Sequence, residues 1–275
     1  MEQPYRAISW GGGVQSTLLG ELSARGDLER VDLIAHADLG WERKKTYEIV
    51  DFYSARWREM GMRVEILKVG NIEVQGADEH IHMPFWTSDG GPLRRQCTRE
   101  FKIRPIRRFI REQLGYHPSK APAPPPGSIE TWIGFTTDEW TRAKPSGVKY
   151  IINRWPLLEL RMSRTNCEEW FKAHDLPVPI KSACIGCPYR HAMEWQEMRD
   201  QSPEEFEAAC AFDDRNRDNP LAERGASTSD ELYIYQGKER YALRDAPIDM
   251  DAAIERRKYR FYQPMFGCDT GYCGT

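Results

Sequence analysis

No apolar run in the 275 residues approaches the roughly 20 that a bilayer span requires. The mean hydropathy of −0.68 lies on the polar side. The opening Met1-Glu2-Gln3-Pro4 lacks the basic and apolar segments of a signal peptide. Together these absences predict a soluble, cytoplasmic protein. A strong charge of either sign is also missing: the net charge of −3 does not suggest a general nucleic-acid coat protein, a local basic stretch being a separate matter. The six histidines show no His-Glu-x-x-His spacing, so the sequence assigns none of them a metal or catalytic role. There is no internal repeat. Seven cysteines in such a chain argue against a disulfide framework and for metal binding or redox chemistry. The length allows one substantial core with a smaller appended subdomain.

The most informative stretch is Ser9-Trp10-Gly11-Gly12-Gly13-Val14-Gln15-Ser16, between the apolar run Tyr5 to Trp10 and a helical segment from Thr17 to Arg25. A strand feeding a glycine turn and then a helix can cradle an anion. Glycines let backbone N–H groups approach closely, and the helix amino end adds a favourable field. Ser9 and Ser16 add hydroxyl donors, and a side chain at Gly12 or Gly13 is expected to obstruct the anion. Neither a Walker lysine nor the dinucleotide glycine spacing is present.

Further strands are expected at Val31 to Ala35, Val64 to Leu67, Ile129 to Gly134 and Tyr150 to Ile152, with a helix over residues 42 to 60. Strands separated by helices predict an α/β fold: a doubly wound, mostly parallel five-stranded sheet. Its ligands would lie beyond the carboxyl ends of the strands. Pro118 to Gly127 reads as a surface loop, and the second half as mainly helical. Capping boxes are expected at Thr165–Glu168 and Ser202–Glu205. These expectations divide the chain into a nucleotide-binding domain, 1–160, and a helical C-terminal subdomain, 161–275.

Four more stretches carry chemistry. Asp38-Leu39-Gly40 stands at a strand end, on the ligand edge. Arg94 and Arg95 precede Cys97, and Lys102 follows it, a basic group suited to phosphate or sulfate. Arg108 and Arg111 fit a solvated helix face. Cys184-Ile185-Gly186-Cys187-Pro188 can grip a metal or part of an iron–sulfur cluster, or act as a redox pair. Cys268 and Cys273 lie in the tail, while Cys167 and Cys210 fall inside expected helices as buried structural thiols.

Five stretches, in order over about residues 5 to 190, resemble the PAPS-reductase family of adenine-nucleotide α-hydrolases. Gly11-Gly12-Gly13-Val14-Gln15-Ser16 is similar to its pyrophosphate loop, with Gln15 where many members have aspartate. Asp38-Leu39-Gly40 is similar to its Asp-Thr-Gly segment, and Cys97 with Lys102 and Pro105 to its cysteine-lysine-proline spacing. Gly134-Phe135-Thr136-Thr137-Asp138-Glu139-Trp140-Thr141-Arg142 is similar to the segment after its fourth strand. Trp155-Pro156-Leu157 through Leu176-Pro177 is similar to a further packing segment.

The resemblance implies a HUP-type, Rossmann-like domain that binds ATP (or PAPS) with Mg²⁺. Ser9, Gly11, Gly12, Gly13, Gln15, Ser16, Asp38, Gly40, Arg95 and Gly134 would contact the nucleotide. Lys102 and Arg142 would act on its phosphates. Cys97, Cys184 and Cys187, with Cys268 or Cys273, would hold a [4Fe-4S] cluster in preference to zinc, and Cys273 is the candidate nucleophile or sulfur carrier. The activity implied is attack on the ATP α-phosphate, releasing pyrophosphate and then AMP, for sulfur transfer to a nucleic acid base or small molecule. A sulfonucleotide reductase working with a redox partner is the alternative. Its second cysteine after Cys97 and its Glu-Cys-Gly-Leu-His tail are absent, whereas Gln15 favours it. Members of this branch are encoded on phages and plasmids, and some accompany type IV CRISPR loci. A nucleotide-binding accessory subunit of a CRISPR or defence complex is therefore the third expectation.

Overall fold

Burial on both faces builds the sheet. In β1 (Tyr5–Trp10), Ile8 and Trp10 face one side and Ala7 and Ser9 the other, as a two-residue period requires. The computed structural model describes residues 3–77, 82–88, 91–219, 231–237 and 239–248. In chain order β1 is followed by α1 (Val14–Arg25), β2 (Leu33–Asp38), α2 (Lys44–Glu59), β3 (Val64–Lys68), α3 (Ile72–Gln75) and β4 (Trp86–Thr87). A π-helical turn, Arg99–Ile103, runs into α4 (Arg104–Gln113), with β5 (Ile129–Trp132) next. A 3₁₀ turn, Thr137–Arg142, leads to β6 (Ile151–Arg154), α5 (Pro156–Glu159) and α6 (Arg164–Ala173). Then come α7 (Ala192–Gln201), α8 (Pro203–Asn216), β7 (Leu232–Tyr233) and the 3₁₀ turn Leu243–Asp245.

The chain divides into two units, the described residues of 1–69 and 98–182 and those of 70–97 and 183–266. The first unit holds the five-stranded sheet, ordered β3-β2-β1-β5-β6 and parallel at every pairing. This is the doubly wound α/β architecture expected. From β1 the chain builds outward through β2 and β3, then returns to the other side of β1 for β5 and β6. The topological switch point therefore lies between β1 and β5, where such sheets open a crevice.

Each face has its own apolar core. Ile8, Trp10, Ile34 and Trp132 pack with Leu18, Leu19, Val50, Tyr53, Trp57 and Phe171 on one side. Ala7, Leu33, Ala35, Ala37, Ile129 and Ile151 pack with Ile106 and Ile110 of α4 on the other. β2 ends at Asp38, three residues beyond the expected strand, so His36 lies inside it. Residues 118–127 carry no helix or strand, as their prolines dictate.

The capping box of α6 differs from expectation. Ser163 accepts from the Asn166 amide and the Asn166 side chain accepts from the Ser163 amide, placing the helix start ahead of Thr165. Asparagine thus closes a box for which a glutamate was sought. Ser202 does stand before α8 with Pro203 in the first turn, but its hydroxyl makes no capping bond.

The second unit is mainly helical. Buried Asp213 on α8 accepts from the Ile234 and Leu243 amides, 2.8 Å each, and pairs with Arg217. Burial pushes its pKa up, against the pull of those donors. β4 and β7 pair antiparallel beside this helix. Among the described residues no helix is long and apolar enough to cross a membrane.

Candidate functional site

The glycine loop closes on itself through short polar contacts. The Gly11 amide donates to Ser16 Oγ at 3.1 Å, the Thr17 amide to the Gly13 carbonyl at 3.0 Å, and Trp10 Nε1 to Thr17 Oγ1 at 2.9 Å. Gly13 stands at the N-cap of the 12-residue α1 and offers no side-chain cap, and no acid occupies the first turn. Val14, Gln15 and Ser16 are nonetheless buried, at 1%, 2% and 0% exposure. A buried helix amino end without a side-chain cap or first-turn acid directs its dipole at the loop and favours an anion there.

Gly12 has φ of +79°, a left-handed conformation that glycine adopts without steric cost. A Cβ there would lie 3.3 Å from Thr46 Cγ2, 3.4 Å from Val50 Cγ2 and 3.8 Å from His36 Cε1. It would therefore crowd Thr46 of α2 and reach ordinary contact with Val50 and His36. The left-handed conformation and this packing favour glycine at Gly12 independently of the anion clearance expected of it.

Gly134, just beyond β5, touches the same loop from across the switch point. A Cβ on Gly134 would lie 2.8 Å from the Ser16 nitrogen and 2.9 Å from the Gln15 carbonyl carbon. Gln15 Nε2 donates to Glu139 Oε2 at 3.1 Å, and Glu139 is held by Arg142, whose guanidinium lies over the Phe135 ring. Gln15 Oε1 is buried with no partner among the described residues. The segment 134–142 thus fixes the amino end of α1 from the β5 side. Asp138 faces elsewhere, accepting from the Arg164 amide at 2.7 Å and from Thr136.

On the β2 side, Asp38 Oδ1 accepts from the Gly40 amide at 2.9 Å and from the Tyr47 hydroxyl at 3.1 Å. Tyr47 also accepts from the Glu42 amide, and burial pushes its hydroxyl up to about 12. Asp38 and Gly40 thereby define a fixed turn at the carboxyl end of β2. Lys102 is 3.2 Å from Glu42 Oε1, with both side chains almost wholly buried. Ser9 lies on the opposite face of β1, beside Ile103, Arg107 and Thr131 at a shallow crevice.

His36, Glu42, Thr46 and Glu139 were not singled out for a role. His36 is 1% exposed, its Nδ1 lies 3.0 Å from the Trp10 carbonyl and its Nε2 is unpartnered among the described residues. Glu42 Oε2 and Thr46 Oγ1 are likewise orphaned. The histidine was legible only through its register: it shares a strand face with Asp38, two residues on.

Burial holds the His36 pKa below its ordinary 6.5, although Glu42 pulls it upward. The unfolded chain takes up a proton that the folded ring refuses, so this contribution is complete above about pH 6.5 and is lost as pH falls below it. Urea unfolding between pH 7.5 and 5 is expected to show this acid loss, and His36→Gln to flatten it. An unchanged slope in His36→Gln would assign the loss to other groups.

The second unit carries the cysteine turn. The Cys187 amide donates to the Cys184 carbonyl at 3.2 Å, closing Cys184 to Cys187 into a turn. Trp86 Nε1 donates to the Pro188 carbonyl at 3.0 Å, and Arg95 lies over the Tyr189 ring. Cys97 is in the same unit, its amide bonded to the His82 carbonyl at 2.8 Å. Among the described residues, however, no three His, Cys, Asp or Glu side chains are arranged to hold a metal ion. The donor set expected from Cys97, Cys184 and Cys187 is not assembled, and Cys268 and Cys273 lie outside the described residues. Cys167 and Cys210 are buried in α6 and α8, and burial pushes their thiols up to about 12 and about 11. Arg108 pairs with Glu112 on the exposed face of α4 and Arg111 donates to the Lys120 carbonyl, so neither guanidinium serves the loop.

Comparison with protein-family models finds no match, and neither does comparison with curated proteins. Among solved structures, the chain is similar to phosphoadenylyl-sulfate (PAPS) reductase from Candida auris, in its phosphate complex. The TM-score is 0.42 at 11% identity, over 64% of this chain and 76% of that one.

Proposed function

We propose that the chain binds an adenine nucleotide with its phosphates on the Gly11–Gly13 loop and the amino end of α1, and directs chemistry to the α-phosphate. One observation carries this reading: a buried, uncapped helix amino end stands behind a glycine loop at the switch point of a parallel sheet. The sequence resemblance supplies the adenine and the α-phosphate.

In this proposal the loop amides donate to the phosphate oxygens and stabilise the charge that develops there, and Mg²⁺, where it is bound with the nucleotide, would neutralise part of that charge. Arg142 works through Glu139, which orients the Gln15 amide, while the Lys102–Glu42 pair braces the β2 side of the loop. Asp38 and Gly40 shape the turn at which the nucleoside would rest. An acceptor oxygen displaces pyrophosphate, and AMP leaves when the activated acceptor reacts with a sulfur nucleophile. No step runs through a cluster, because the described cysteines do not assemble a three-ligand group.

Titration of the full chain with ATP and Mg²⁺ is expected to show saturable binding, and prolonged incubation AMP and pyrophosphate. ADP and phosphate as the products would remove the α-phosphate chemistry, and absence of binding would remove the site. Sulfite released from PAPS in a parallel incubation with a dithiol would replace ATP chemistry with sulfonucleotide reduction. Saturable binding with no turnover of either nucleotide would leave the accessory-subunit role.

A further inference from the structure

Three buried polar atoms about the glycine loop have no hydrogen-bond partner among the described residues: His36 Nε2, Glu42 Oε2 and Thr46 Oγ1. Their residues are 1%, 2% and 0% exposed. Gly12 locates two of them, since a Cβ there would meet Thr46 Cγ2 at 3.3 Å and His36 Cε1 at 3.8 Å. Glu42 is close enough for its charge to act on the His36 ring. The His36 tautomer follows from its contacts. A carbonyl can only accept, so Nδ1, 3.0 Å from the Trp10 carbonyl, carries the hydrogen, and the neutral ring leaves a bare lone pair at Nε2. Glu42 Oε2 is a second acceptor, its other oxygen facing Lys102 at 3.2 Å. The single hydroxyl hydrogen of Thr46 cannot serve both. The group is thus one donor short, and a buried acceptor without a donor is costly. A proton on Nε2 turns that nitrogen from acceptor to donor.

We infer that His36 is a positioning residue for the phosphate loop: it takes up a proton as an anion settles on the Gly11–Gly13 amides, placing a positive charge behind them. The inference rests on nucleotide binding at this loop and adds the source of a charge that the loop itself lacks. Residues 11–17 contain no lysine or arginine. Burial dominates in the free protein and keeps the ring neutral, and Lys102 of the π-helical turn adds to it. Glu42 ahead of α2, the Trp10 carbonyl and Asp38 at the end of β2 pull the other way. The remaining neighbours are uncharged: Trp10 lies edge-on at 5.4 Å between centroids, and Ile66 is the β3 partner of His36 in register. An anion on the loop joins the groups that favour the proton. An opposite charge at close range raises such a proton affinity about tenfold or more. One proton enters from solvent as the anion binds and returns to solvent when it leaves. A group whose pKa rises on binding strengthens binding as pH falls through its bound value, so affinity should increase toward acid.

Calorimetric titration of the full chain with Mg·ATP, from pH 8 to pH 6 in buffers of different ionisation heat, tests this. Affinity is expected to rise about tenfold over that range, with about half a proton or more taken up per nucleotide near its acid end. His36→Gln keeps an amide that can meet the Trp10 carbonyl, and should bind with a flat profile and without that uptake. Titration of the nucleotide itself is common to both proteins and cancels in their difference. If His36→Gln does not fold, NMR of the parent decides the matter. One of its six histidine Cε1–H signals should titrate above pH 6 only with Mg·ATP bound. Equal profiles and uptake in the two proteins, or no histidine signal that changes its titration on binding, would overturn the inference and leave the nucleotide site standing. No binding at any pH would remove the site itself, and the inference with it.

Discussion

Gly134→Ala is expected to lower nucleotide affinity by at least about tenfold, and to cost about 1–3 kcal/mol of stability. The methyl group would sit 2.8 Å from the Ser16 nitrogen and 2.9 Å from the Gln15 carbonyl carbon. Both are backbone atoms of α1's first turn, so no rotamer change relieves the contact. Either the segment after β5 moves outward or the amino end of α1 tilts. Each movement alters the spacing of the N–H groups that an anion would meet, and pulls Gln15 from Glu139. Affinity measured by calorimetry and stability by urea unfolding separate the two effects. Gly147→Ala is the matched control, because a Cβ at Gly147 meets nothing within 4 Å. Affinity unchanged in Gly134→Ala, with ATP still bound by the parent protein, would show that the ligand does not use α1's first turn.

Much of this arrangement is legible in the sequence, for physical reasons. Parallel strands buried on both faces leave short apolar runs, and Tyr5–Trp10 and the Leu33–Ala35 part of β2 announced themselves that way. The three glycines marked the turn, and Gly12 is the one among them whose conformation few other residues allow. What was not legible depends on contacts far apart in the chain. Gln15 and Glu139 are 124 residues apart, and nothing local to either foretells their bond. His36 was passed over because histidine motifs were sought in spacing, whereas its placement follows from strand register beneath Gly12. The expected α6 box failed more simply: Asn166 can take glutamate's role when serine precedes it by three.

The second large effect is expected where α1 crosses α2. A Cβ on Gly20 would lie 2.4 Å from Trp57 Cη2 and 2.5 Å from Cζ2, well inside contact distance. The indole has little room to retreat. It is fully buried, packs on Trp10 with ring centroids 4.7 Å apart and on Tyr53 at 5.5 Å, and donates through Nε1 to Glu21 Oε2 at 2.8 Å. Glu21 is itself buried and bound by Arg56 at 2.7 Å, so turning the ring would disturb a buried carboxylate as well. Gly20→Ala should gain some helix propensity, up to about 1 kcal/mol. The overlap is expected to outweigh that gain and leave a net loss of about 2–3 kcal/mol. Trp57→Phe alone should also destabilise, by opening a cavity and removing one of the two donors to Glu21 Oε2, the other being Arg56 Nε. Combined, the two changes should cost less than their sum, since a smaller ring makes room for the added methyl. Urea unfolding of the parent, both single variants and the double variant measures that coupling. Strict additivity would show that α1 and α2 part before Gly20 and Trp57 meet, and would move the origin of the close approach elsewhere on the interface.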